Sequence, residues 1–168
     1  KCFMEANTSK NKFALTRFAN VAHSNGSVLP FWLKLKEEGK TLKLTSRDMN
    51  RLMFSKSDAA KLINSAVNKC ENDGGGFVCS YKMKSVNMFE LAKVISKDVE
   101  IVGLRPGEKL NEDLISVREI PFTYIHDDMI YIYNQENLDE NRLRHGYSSV
   151  SAEKMTTKEM EDLVWNTK

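Results

Sequence analysis

Ala59, Leu62, Ile63, Ala66, Val67 and Cys70 recur at i, i+3, i+4, i+7, i+8 and i+11. That spacing collects them on one face of an α-helix. Ser55, with Asp58 three residues later, supplies a capping start. Asn72-Asp73-Gly74-Gly75-Gly76 ends the helix, and Phe77-Val78-Cys79-Ser80 resumes as a strand. A helix with one apolar face, a glycine break and a strand is the building unit of an α/β chain, and the rest of the sequence repeats it.

Phe13 to Phe18 reads as a strand, followed by a polar loop through Asn25-Gly26-Ser27. Pro30 opens a helical segment, Phe31 to Glu38, that Gly39 stops. Leu42 and Leu44 alternate with Thr41 and Lys43, the pattern of a short strand with one wet face. A second helix runs from Asn87, with Glu90 at its third position and Met88, Leu91, Ala92 and Ile95 on one face. Glu100 to Leu104 is apolar enough to be a buried strand. Met129 to Tyr133 alternates as a strand, Asn134 to Gly146 is a polar connector, and Thr156-Thr157-Lys158-Glu159 caps a last helix with Met160, Leu163 and Val164 inward. No internal repeat or low-complexity tract interrupts this order.

Composition narrows the partners. Across 168 residues, 25 Lys+Arg are interspersed with 23 Asp+Glu, so no face for nucleic acid stands out. No apolar run approaches the ~18 residues of a membrane helix, so membrane insertion is not expected. The start, Lys1 to Asn7, has neither a signal-peptide core nor an initiator Met. Cys2, Cys70 and Cys79 are odd in number and lack CxxC spacing, which predicts reduced thiols and a cytoplasmic protein.

The chemistry-bearing residues are few. Gly74-Gly75-Gly76 follows a helix and precedes a strand, the reverse of the order that cradles a pyrophosphate, so it reads as a helix breaker. His23, His126 and His145 have no metal-ligand spacing, and no metal is expected. Glu108, Glu112 and Asp113 sit where a helix would start, where acids favour the positive dipole end. Arg105-Pro106-Gly107-Glu108-Lys109 follows an apolar strand and presents guanidinium, carboxylate and ammonium together. Such a cluster suits phosphate and ribose hydroxyls, and equally a structural salt-bridge turn. Arg51, between Met49 and Leu52, would be partnered by an acid such as Asp48 or reach a ligand. Asn20, at a strand end, offers an amide to a polar ligand or caps a turn. No group in this set makes a catalytic constellation.

At Arg17-Phe18-Ala19-Asn20-Val21 and Gly26-Ser27-Val28-Leu29-Pro30 the chain resembles extended short-chain dehydrogenase/reductases. Within them it is most similar to UDP-N-acetylglucosamine 4,6-dehydratases of the inverting, 5-epimerising type. Asp48 to Met53, Glu100 to Leu110 with its RPGEKL run, Glu112 to Ile115, and the tail Tyr147-Ser148-Ser149 with Met155 to Leu163 support the likeness. Ala19, Asn25 and Asn50 stand where the family usually has Gly, Arg and Thr.

The resemblance implies an α/β fragment: the C-terminal part of an extended Rossmann-type fold, comprising the last sheet strands plus a small substrate-binding domain. The dinucleotide-binding half is expected to be missing. It implies a division into residues 1–120 and a C-terminal extension, residues 121–168. No Tyr-x-x-x-Lys pair is present: Tyr81, Tyr124, Tyr131, Tyr133 and Tyr147 are followed four residues on by Ser85, Asp128, Gln135, Asn137 and Ser151. By the same resemblance Asn20 lies near substrate and nicotinamide, Ser27, Val28 and Pro30 close over the nucleotide-sugar, Arg51 faces the UDP phosphates, and Arg105 and Glu108 hold phosphate and ribose. The complete enzyme would use NAD or NADP to oxidise carbon 4 and lose water across carbons 5 and 6, and would form a homo-oligomer. This chain alone is expected to bind UDP-sugar without binding the cofactor or turning over. A UDP-sugar 4-epimerase fragment and a non-catalytic UDP-sugar-binding module are the alternatives.

Overall fold

The computed structural model describes residues 2–136, 138 and 140–166. In chain order its elements are α1 (Cys2–Glu5), β1 (Ala14–Thr16), β2 (Asn20–Val21), α2 (Val28–Glu37), β3 (Leu42–Leu44), β4 (Asn50–Phe54) and α3 (Lys56–Asp73). They continue with β5 (Phe77–Tyr81), β6 (Ser85–Asn87), α4 (Met88–Ile95), β7 (Val99–Ile101), β8 (Asp113–Ile115), β9 (Thr123–His126), β10 (Met129–Ile132), β11 (Tyr147–Ser148) and α5 (Thr157–Trp165). None of these helices is long and apolar enough to cross a membrane. The chain divides into two compact units interleaved in sequence.

The first unit takes the chain up to Phe18, Asp58–Lys82 and Leu114–Tyr147. Its sheet has the order β1-β5-β10-β9, with β1 parallel to β5 and the other pairs antiparallel. Phe77 and Cys79 are fully buried, and Tyr131 and Tyr133 pack on Phe77 at centroid distances of 5.7 and 5.9 Å. Burial pushes the Cys79 thiol up to about 11, with the Lys69 cation pulling the other way. The stripe of α3 is only half covered: Leu62 and Ala66 are buried, whereas Ile63 is 46% and Val67 48% exposed. Those two, with Ala14, Thr16 and Cys70, line a groove of about 380 Å³ beside β1, the edge strand.

Arg17 ties this unit together. Its guanidinium forks onto Glu119 at 2.7 and 3.2 Å and donates to the Leu114 carbonyl at 2.7 Å. Burial alone pushes the Glu119 carboxyl up, but the bonds from Arg17 and Ser116 outweigh it and hold it below the ordinary value. Glu119 also closes a capping box with Ser116 on the 3-10 turn at Val117–Phe122.

The second unit comprises Ala19–Ser57, Met83–Asp113 and the chain from Ser148. Here β2 runs parallel and β6 antiparallel to β4, and β3 pairs in parallel with β7. Leu29, Trp32, Leu42, Leu91 and Val164, all essentially inaccessible, centre the core under α2, α4 and α5. Asn87 caps α4 as its spacing predicts, accepting from the amides of Phe89 and Glu90 at 3.0 and 3.1 Å. The Thr156–Glu159 capping box starts α5. Lys84 fastens this C-terminal segment, reaching Glu153 at 2.6 Å and Glu159 at 2.8 Å, and both bonds hold its ammonium well above the ordinary value.

Three expectations change. First, α2 begins at Val28, with Pro30 inside its first turn, where a missing amide proton leaves no bond unmade. Second, Glu100–Leu104 is not a buried strand: β7 ends at Ile101, and Val102 and Leu104 are exposed because β7 pairs with β3 alone. Third, Glu112 and Asp113 do not begin a helix; Asp113 opens the short strand β8.

Candidate functional site

All seven residues singled out for binding lie in the second unit, in three groups. The first forms around β4. Parallel pairing sets Asn20 opposite Met53, and the Asn20 amide donates to the Leu52 carbonyl at 3.1 Å and to Glu112 Oε2 at 3.0 Å. The other oxygen of Glu112 meets Arg51 Nε at 3.2 Å. Glu112, not the neighbouring Asp48, is therefore the acid that pairs with Arg51. The guanidinium also donates to the carbonyls of Asn50, Leu110 and Lys109 at 2.9, 3.0 and 2.8 Å, and its side chain is 13% exposed.

The second group is the Arg105–Glu108 turn. Pro106 fixes one φ, Gly107 sits at φ +82°, and the Glu108 amide donates back to the Arg105 carbonyl at 3.0 Å. Pro followed by a positive-φ glycine is the signature of a type II turn. The Glu108 carboxylate braces it, accepting from the Arg105 amide at 3.3 Å and from Thr45 Oγ1 at 3.0 Å. Among the described residues nothing partners the exposed Arg105 guanidinium. A free fork beside a carboxylate with acceptor capacity left suits a ligand bearing both phosphate and hydroxyls.

The third group is the entry to α2. Ser27 stands at the N-cap but makes no capping bond, and its buried Oγ has no partner among the described residues. Val28 is half-buried and Pro30 exposed. His23, at φ +57°, anchors the loop leading here, its Nε2 lying 3.1 Å from the carbonyls of both Leu163 and Val164.

Sequence reasoning missed Glu112 as the residue joining Asn20 to Arg51; a carboxylate in a strand approach carries no spacing signal. The glycine run is a packing device. Gly76 donates to the Phe13 carbonyl at 2.6 Å, and a Cβ on Gly75 would strike Asn7 and the Phe13 backbone. Backbone this tightly covered does not fit a cofactor pyrophosphate.

Comparison with known proteins places these features. The family of polysaccharide biosynthesis proteins matches over residues 1–134, and the chain belongs to it. It is 35% identical over 131 residues to a UDP-N-acetylglucosamine 4,6-dehydratase (inverting) of Campylobacter jejuni, a match covering 74% of this chain and 38% of that protein. It is 34% identical over 137 residues to the uncharacterized membrane protein MJ1061 of Methanocaldococcus jannaschii, covering 74% of this chain and 40% of that one. The crystal structure of Pen from Bacillus thuringiensis superposes with a TM-score of 0.82 at 26% identity, over 98% of this chain and 53% of that one. The chain thus spans about two-fifths of the length of these curated relatives and about half of the solved one.

Proposed function

We propose that this chain is the UDP-sugar-binding half of a UDP-N-acetylglucosamine 4,6-dehydratase. The observation that carries the reading is the unpartnered Arg105 guanidinium, held on a turn that Glu108 braces. Arg105 would take the diphosphate, and Glu108, with lone pairs beyond those used by Thr45 and Arg105, the ribose hydroxyls. Asn20, its amide protons occupied, would offer its carbonyl oxygen to the sugar, and Ser27, Val28 and Pro30 would close over it. The free thiols of Cys2, Cys70 and Cys79 fit a reducing cytoplasm.

NAD or NADP would bind a dinucleotide half outside this chain and supply the hydride chemistry. What supports such a half is the open edge of β1 beside the exposed Ile63 and Val67, an edge and apolar surface that a further parallel strand and helix would cover. The complete enzyme would then assemble as a homo-oligomer.

Calorimetry with UDP, UDP-N-acetylglucosamine and NAD tests the reading. UDP and the nucleotide-sugar should bind, NAD should give no saturable heat, and the recovered nucleotide-sugar should keep its mass. No UDP binding defeats the assignment, whereas loss of one water catalysed by this chain alone overturns the binding-half reading and leaves the dehydratase reading standing.

A further inference from the structure

We infer that His23 is a positioning residue that fastens the loop entering α2 at Ser27 to the carbonyl end of the C-terminal helix α5. Among the described residues, only His23 (φ +57°) and Asp127 (φ +51°) have positive φ without being glycine. Asp127 occupies the two-residue hairpin turn between β9 and β10, where such a conformation is ordinary. His23 instead stands third in the turn that the Ser24 amide closes on the Val21 carbonyl at 3.3 Å, a position that favours glycine at positive φ. A side chain kept in a backbone conformation it rarely adopts points to a use for that side chain. Here Nε2 lies 3.1 Å from the carbonyls of both Leu163 and Val164, in the last turn of α5. Carbonyl oxygens only accept, so Nε2 carries a proton and shares it between them, a three-centre bond of the kind found at helix ends.

The bond spans 140 residues of sequence and joins an anchored helix to a thinly held loop. The start of α5 is fixed where Glu159 closes the capping box with Thr156 and meets Lys84 at 2.8 Å. Toward its end, Leu163 and Val164 are buried in the core that Leu29 and Trp32 of α2 share. The loop is held before His23 by the buried Ala22, whose amide donates to the Phe54 carbonyl at 2.9 Å, and after it by the buried Leu29. Between those two points Asn25 and Gly26 are exposed, and among the described residues His23 makes the loop's only side-chain hydrogen bond. Lys36, in the last turn of α2, lies 4.8 Å from the centre of the Trp165 ring. The end of α5 therefore touches the chain both before α2 and at its far end, and sets where Ser27, Val28 and Pro30 stand.

The inference rests on the UDP-sugar reading for its ligand, so one arm of the test uses the nucleotide-sugar and the other needs no ligand. His23→Gly removes the imidazole and takes the positive φ freely, so strain does not prevent folding, whereas His23→Gln keeps an N–H donor of similar reach. In the first arm, calorimetry on the full chain should show UDP-N-acetylglucosamine binding His23→Gly about three- to tenfold more weakly, the scale of one neutral hydrogen bond. UDP alone, which does not reach Ser27, Val28 and Pro30 in that reading, should bind as before, and His23→Gln should recover most of the loss. If the original chain binds both ligands, equal weakening of the two, or unchanged binding of the nucleotide-sugar, overturns the inference. In the second arm, amide hydrogen exchange should accelerate in His23→Gly at Ser24 and Ser27 and across residues 163–166, with α4 still protected, and should slow again in His23→Gln. The α5 amides are remote in sequence from position 23, so glycine's own backbone freedom does not account for them. Unchanged exchange at either place overturns the inference whether or not a ligand binds. Faster exchange at both upholds the fastening even if the chain binds neither ligand, an outcome that defeats the substrate reading alone.

Discussion

Replacing Arg17 by Met keeps the length of the side chain and removes its charge. Three bonds go with it: two to Glu119 and one to the Leu114 carbonyl. Both ionic side chains are about one-third exposed, at 32% and 30%, so the pair lies between a surface bridge and a buried one. Fork geometry and partial shielding give the pair about 1–2 kcal/mol, and the carbonyl bond adds ~1 kcal/mol, for a loss of roughly 2–3 kcal/mol at pH 7. At about 2–4 °C per kcal/mol for a chain of this size, melting should fall by roughly 4–12 °C. The pH dependence identifies the cause. The folded state holds Glu119 below its ordinary 4.5, so the stability it contributes is present above that value and is lost as pH falls through the depressed one. Wild type and Arg17→Met should therefore begin to converge in urea denaturation as pH falls below 4.5 and, once it passes the depressed value, differ only by the ~1 kcal/mol of the Leu114 bond. A difference that stays constant from pH 7 down to that acid range, or one below about 0.5 kcal/mol at neutrality, would refute the reasoning.

Two caps should behave differently: Asn87→Ala loses two capping bonds and the bond to the Arg47 carbonyl and should cost about 1–2 kcal/mol, whereas Ser27→Ala loses none and should stay within about 0.5 kcal/mol in the same denaturation assay. Gly75→Ala should destabilise by ~1–3 kcal/mol, read as a lower melting temperature, because its methyl group meets Asn7 and the Phe13 backbone. Arg105→Ala should leave stability within about 0.5 kcal/mol while weakening UDP by ~1.5–3 kcal/mol in calorimetry, since the guanidinium has no partner to lose within the described chain.

The parts of the fold legible in sequence are those governed by neighbours a turn or two apart. Met88, Leu91, Ala92 and Ile95 repeat at helical spacing and are all buried, and Asn87 and Thr156 announce the helix starts they cap. Leu42 and Leu44 alternate with Lys43 and bury accordingly. Periodicity shows that a face is apolar but not what covers it. Ile63 and Val67 therefore share a stripe with Leu62 and Ala66 yet remain open, and Val102 and Leu104 read as core but lie at the surface. Contacts made by the tertiary fold leave still less trace: Arg17 finds Glu119, and Arg51 finds Glu112, through strand placements that no local spacing encodes.

The binding candidates show why a motif is weaker than the contacts made once folded. Arg51 and Arg105 look alike in sequence, each an arginine amid apolar residues near a turn or strand. Once folded, one makes three hydrogen bonds to backbone carbonyls and an ion pair with Glu112, whereas the other has none among the described residues. The bonds of Arg51 hold shape, and the charge of Arg105 at the surface is available to a ligand. The two roles need each other. A free guanidinium on a loose loop would have to be ordered when the ligand arrives, and that entropy would come out of affinity. Clamping the stem at Lys109 and Leu110 settles the order at folding, so the Pro106-Gly107 turn presents Arg105 already placed.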